Sequence, residues 1–291
     1  MLNEFTQVLT IAGSDSDGSA GAQADLKTFM ARGVYGMSVL TAAVAGNSYG
    51  IHDATVMPSS FIISQIKDIK DDFKVSAFKT GMLSDSETIN TVADAIKDKP
   101  FGFFVLDPVI ITKHGAMLLE EDAYQTLIDK LFPLADIITP NFYEAKKLSG
   151  MELDTREEIV EAAHKLQELG PKNIMIKGEH ANDDQDEVED FVLLEDGQSF
   201  WISEPYVKTE HINGTGDKLS SAIVAEVAKG KDLESAIRIA KTFTYHAIKN
   251  VIDVGHKYGP INHFVEDDIQ SKMIYNRRKV HWRIPLYGTN Y

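Results

Sequence analysis

The chain of 291 residues carries 29 Lys and Arg against 44 Asp and Glu, a formal net charge of −15, and no Cys. The acidic balance argues against a nucleic-acid or acidic-membrane partner, which needs a basic face, yet leaves room for a small phosphorylated ligand held by amides and one or two cations. The lack of Cys removes disulfides, thiolate metal sites and cysteine nucleophiles together.

The start, Met1-Leu2-Asn3-Glu4-Phe5, has neither the basic region nor the apolar stretch of a secretion signal, and no apolar run reaches the ~20 residues that span a bilayer. A cytoplasmic enzyme is the expectation. Apolar runs at residues 8–12, 38–45, 77–80, 103–106, 136–138 and 173–177 read as strands covered on both faces. Between them lie helical patterns. Ile62, Ile66, Ile69 and Phe73 form one apolar stripe, Ser84-x-x-Glu87 reads as a capping box, and residues 120–131 supply another helix. Alternating units of this length predict a mostly parallel sheet with helices on both faces.

Beyond Lys177 the pattern changes. Residues 191–195 and 198–203 flank Asp196-Gly197, a hairpin signal, and helices are expected over 218–228 and 233–250. Residues 183–190 hold six acids in eight positions, a composition expected to form, with the hairpin, a mobile flap. Residues 269–291 carry Lys272, Arg277, Arg278, Lys279 and Arg283 and no acid, so the division expected is a single domain over 1–268 and a basic tail over 269–291.

Several motifs carry chemistry. Gly46-Asn47-Ser48-Tyr49-Gly50 matches the nucleophile elbow of serine hydrolases, but the extended, proline-stopped segment that follows does not make the required turn into a helix. Asp15-Ser16-Asp17-Gly18 lacks the spacing of a calcium loop, and no P-loop is present. Asn213-Gly214-Thr215-Gly216-Asp217 stands immediately before a helical pattern. Its glycines expose consecutive N–H groups at a helix start, a place suited to phosphate. Asp217 there either caps the helix or takes a proton from an attacking hydroxyl. Asn141-x-x-Glu144 is equally a capping box or a carboxylate placed near Mg²⁺ at a strand end. Asp107-Pro108-Val109 and Lys177-Gly178 end two further strands, where ligands of α/β folds bind.

These segments, with Leu9-Thr10-Ile11-Ala12-Gly13-Ser14-Asp15, Gly21-Ala22-Gln23-Ala24-Asp25 and Lys79-Thr80-Gly81-Met82-Leu83, resemble the ribokinase superfamily in its branch of pyridoxal and hydroxymethylpyrimidine (phosphate) kinases, over roughly residues 8–265. The resemblance implies a three-layer α/β/α fold with a mostly parallel central sheet and a small hairpin flap, ATP as co-substrate with Mg²⁺, a small heterocyclic alcohol as substrate, and a homodimer. Carried residue by residue, it implies Asp217 as general base with Gly214, Thr215 and Gly216 cradling the transferred phosphoryl group. Asn141, Lys177, Thr215 and Gly216 would meet the nucleotide phosphates, and Asp107 and Glu144 would hold Mg²⁺ directly or through water. Gly13, Ser14, His52, Met82 and Val109 would border the heterocycle, with the helix near residues 240–250 beside adenine. Two departures bear on the substrate. Hydroxymethylpyrimidine kinases usually carry Gln or Glu where Gly46 stands, and His52 falls where related pyridoxal kinases have a histidine facing the ring. Together they make pyridoxal the expected substrate, with hydroxymethylpyrimidine the alternative.

Overall fold

Residues 5–111, 117–178 and 185–265 are described by the computed structural model. The strands are β1 (Gln7–Asp15), β2 (Tyr35–Asn47), β3 (Gly50–Val56), β4 (Val75–Thr80), β5 (Phe103–Leu106), β6 (Ile137–Ile138), β7 (Asn173–Ile176), β8 (Glu187–Leu193) and β9 (Ser199–Pro205). They form one sheet in the order β3-β2-β1-β4-β5-β6-β7-β8-β9. From β2 through β7 each neighbouring pair is parallel, while β3, β8 and β9 join the two edges antiparallel.

The central strands are largely apolar on both faces because alternate residues enter two different cores. On one face Val8, Ala77, Val105, Ile137 and Met175 pack together. On the other, Leu9, Phe78, Phe104, Ile138 and Ile174 do so. The helices are α1 (Gly21–Ala31), α2 (Ser59–Asp72), α3 (Ser86–Ile96), α4 (Ala123–Lys130), α5 (Phe142–Ser149), α6 (Arg156–Glu168), α7 (Thr215–Ala228) and α8 (Leu233–Lys249). Helices α1, α7 and α8 cover the first face and α2 to α6 the second, giving the expected three layers. Phe78 and Phe104 stack with ring centroids 4.5 Å apart at the centre of the second core. Burying each such ring contributes about 1.5–3 kcal/mol.

Two local expectations are corrected, and the rejection of the nucleophile elbow holds. The cap of α3 is Asp85, which accepts the Thr88 N–H at 2.7 Å; Ser84 lies outside the helix with φ of 65°, and Glu87 instead accepts from Ser59 Oγ. The acidic run is not a flap over its whole length. From Glu187 it is strand β8, and Asp190 is buried, accepting the Gly178 N–H and pairing with Lys241 at 2.7 Å. A buried cation partner is what lets so charged a segment pack. Residues 183 and 184 and the basic tail lie outside the described residues. The segment after Ser48 is strand β3, so the nucleophile-elbow pattern sits in a hairpin rather than a strand–helix turn. Among the described residues no helix is long and apolar enough to cross a membrane.

Candidate active site

The carboxyl ends of parallel strands leave the chain free to turn outward into loops, and ligands of open α/β sheets bind there. Here the ends of β1, β4, β5, β6 and β7 meet the start of α7 around a cavity of about 360 Å³. It is lined by Gly13, Ser14, Met82, Asp107, Val109, Asn141, Glu144, Lys177, Gly214, Thr215, Gly216 and Asp217, so twelve residues singled out in the sequence come together.

Gly214 caps α7 with φ of 82°, and a Cβ there would stand 2.0 Å from the carbonyl oxygen of Ser19. Both the backbone angle and the close approach require glycine. The turn that it permits brings the first N–H groups of α7, which have no acceptor within the helix, to the cavity wall. Thr215 Oγ1 donates to Ile212 O at 2.7 Å and locks the loop before the helix. Asp217 is the third residue of α7, not its cap, and its carboxylate is turned inward to Lys79 Nζ at 3.4 Å. Burial pushes its carboxyl up to about 6, helped by Asp25 and Asp107 and opposed by Lys79 and the Gly21 amide.

Glu144 closes a capping box: Asn141 Oδ1 accepts the Glu144 N–H at 2.9 Å, and Glu144 Oε2 accepts the Asn141 N–H at 2.7 Å. Its other oxygen accepts the Ile110 N–H at 2.8 Å, tying α5 to the loop after β5. Burial raises the Glu144 carboxyl to about 7, with Asp107 adding to the rise while Lys177 and the two amides oppose it. Asp107 receives Lys177 Nζ on Oδ1 at 3.1 Å and Ser220 Oγ on Oδ2 at 3.3 Å. Burial works against the Lys177 ammonium, yet Asp107 and Glu144 hold it charged, its pKa raised. Among the described residues no three metal-binding side chains stand together. Asp107 and Glu144, both on the cavity wall, are the carboxylates that could reach a Mg²⁺ ion whose other ligands were water and phosphate oxygens.

His52 is not on the cavity wall. The pairing of β2 with β3 slips between Ala45 and Gly46, with Ala45 opposite Asp53 and Gly46 opposite Ile51. His52 is the extra residue of that bulge and is absent from the cavity wall, which is bordered there by Ile51, itself exposed. Asn47, Asp15 and Asp17 line it too, and sequence reasoning gave them no role. Asp15 is pushed up by burial and by the hydrogen bond to Asp17, and its Oδ2 accepts from Ser19 Oγ and the Ala20 N–H. Val109 holds φ of 47°, a strained angle for a β-branched residue, on the cavity wall. A second cavity lies between the ends of β8 and β9, α7 and α8, sharing Lys177 and Thr215 with the first and bordered by Thr244 and Tyr245.

Anion-accepting amides, one lysine and an inward-turned carboxylate, gathered where these strands end, define a small-molecule kinase of the ribokinase-like fold. The chain belongs to the phosphomethylpyrimidine kinase family, whose sequence profile matches residues 15–262. It is 47% identical over 264 residues to a Haemophilus influenzae protein named hydroxymethylpyrimidine/phosphomethylpyrimidine kinase, covering 90% of this chain and 98% of that one. A Bacillus subtilis protein of the same name is 39% identical, over 89% of this chain and 94% of its own. Among solved structures, a pyridoxal kinase of Bacillus subtilis in complex with ADP superposes with a TM-score of 0.81 at 36% identity, covering 89% of this chain and 98% of that one.

Proposed function

We propose that the chain transfers the γ-phosphoryl group of ATP to the hydroxymethyl group of hydroxymethylpyrimidine, or to the phosphate of its phosphomethyl form. The observation that carries this over pyridoxal is the bulge that puts Ile51, not His52, on the cavity wall. On this reading His52, the residue behind the pyridoxal expectation, does not reach the substrate ring. The 47% identity to a protein named for the pyrimidine substrates supports the same reading. The structural likeness to pyridoxal kinases speaks for the shared fold and machinery.

In this reading the substrate ring lies between Met82, Val109, Ile51 and Ser14. Asn47 offers an amide at the wall where Gly46 has no side chain to give. The nucleotide base enters the second cavity beside α8, and its phosphates run past Lys177 and Asn141 to the start of α7. As the substrate oxygen bonds to the γ-phosphorus, the bond from that phosphorus to the ADP oxygen breaks and the hydroxyl proton passes to Asp217. Lys177 and the amides of Gly214, Gly216 and Asp217 meet the charge on the transferring group, the Thr215 N–H being taken by Ile212 O at 3.2 Å. Mg²⁺, when bound, neutralises the phosphates and aligns them.

A coupled ADP-release assay with hydroxymethylpyrimidine, its phosphomethyl form and pyridoxal tests the substrate. The reading expects a higher kcat/KM for a pyrimidine than for pyridoxal. The reverse order would overturn it.

A further inference from the structure

A lysine in the middle of a core strand is costly unless its charge is matched. Lys79 is such a residue: it sits on β4 between Phe78 and Thr80 and is fully buried. Its Nζ lies 2.7 Å from Asp25 Oδ1 on α1 and 3.4 Å from Asp217 Oδ1 on α7. Asp25 is itself fully buried and saturated, accepting Ser221 Oγ on Oδ1 at 2.6 Å and Thr10 Oγ1 on Oδ2 at 2.6 Å. Ser221 and Asp217 stand four residues apart and so share one face of α7. The Asp25–Lys79 pair thus grips α7 at two points one turn apart, through the hydroxyl and through the carboxylate. Rotation of the helix start about its own axis would break one grip or the other.

We propose that Lys79, anchored by Asp25, is a positioning residue that holds the Asp217 carboxylate in place at the floor of the cavity. This rests on the reading of Asp217 as the general base. Four groups face that carboxylate: the Lys79 ammonium from β4, the Asp25 carboxylate and Gly21 amide from α1, and the Asp107 carboxylate from the loop after β5. Of the charged groups among them, Lys79 alone is positive. A merely structural ion pair would hold the fold together without touching the proton-accepting step, and the two roles part in their response to pH.

Three variants separate them, each followed by kcat, KM and the acidic limb of the kcat–pH profile. Lys79→Met removes the cation and should lower kcat by about tenfold to a hundredfold, the size of effect that follows from misplacing a reacting group. It should also move the acidic limb upward by about one pH unit, while KM for ATP stays within about threefold. Asp25→Asn keeps the cation and a side chain of the same shape but removes the competing anion, so its acidic limb should move downward. Because Lys79→Met strands Asp25 and risks misfolding, Asp25→Asn alone keeps the proposal testable. Opposite shifts in the two variants support it. An acidic limb unmoved in a folded Asp25→Asn or Lys79→Met protein overturns it. Asp217→Asn is the separate control: wild-type kcat there would reject Asp217 as the base, whereas a strong loss there with unmoved limbs in the other two rejects only the role of Lys79.

Discussion

Lys177 Nζ stands 3.1 Å from Asp107 Oδ1, an ion pair between the ends of β7 and β5 that reaches across the intervening β6. It gathers one cation and one carboxylate into the crevice where nucleotide phosphates are expected. Removing the cation by Lys177→Met leaves Asp107 buried and unpaired beside those phosphates. KM for ATP should rise at least about tenfold, as for loss of a charge-assisted hydrogen bond of about 1.5–3 kcal/mol, with a smaller change in KM for the alcohol. Initial-rate kinetics with each substrate varied in turn checks this.

Glu144 uses both carboxylate oxygens on backbone amides, so its first effect on replacement is structural. Glu144→Ala loses the capping box, about 1 kcal/mol, and leaves the buried Ile110 N–H without an acceptor, a further ~1–3 kcal/mol. Thermal unfolding without ligands should occur several degrees lower. An unchanged melting temperature would show that Glu144 serves bound metal alone.

Gly214→Ala meets two obstacles at once, the positive φ and the Ser19 carbonyl 2.0 Å from the new Cβ. The loop must move away from the β1–α1 connection, dragging the first amides of α7 with it. Losing one such preorganised donor lowers kcat by about 10²–10³. Activity should fall by at least that much, read by ADP release, with KM for the alcohol affected less than kcat.

How far the sequence reached is visible in single residues. The buried strands could be read because both faces are largely apolar, and their ends already displayed Asp107, Asn141 and Lys177. Strand β3 has all seven residues exposed and so carries no burial pattern to read. Helix α1 begins without a side-chain cap hydrogen bond, and its start gave no signal. His52 lies off the cavity wall for a different reason. One bulged residue exchanges which neighbour faces the cavity, and no local pattern announces a bulge. The Asp25–Lys79 pair had a signal that went unused: a lysine inside the apolar run at 77–80 must have a buried anion.

The position of Asp217 makes one further demand on pH. Its carboxyl is raised to about 6 from the ordinary 3.8, so the folded protein holds that proton more tightly than the unfolded chain. The stabilising contribution is present below about pH 4 and is lost as pH rises through about 6. Asp217→Ala should therefore unfold no more easily than the wild type at pH 8, and wild-type kcat should fall on the acid side of about 6 as the base is protonated.

The most direct test is the kcat of Asp217→Ala at pH 8 with ATP, Mg²⁺ and hydroxymethylpyrimidine, measured beside its melting temperature. The account predicts a fall of about 10²–10³, within the range for a lost general base, with KM for ATP nearly unchanged and no loss of thermal stability. A kcat within threefold of the wild type would contradict it.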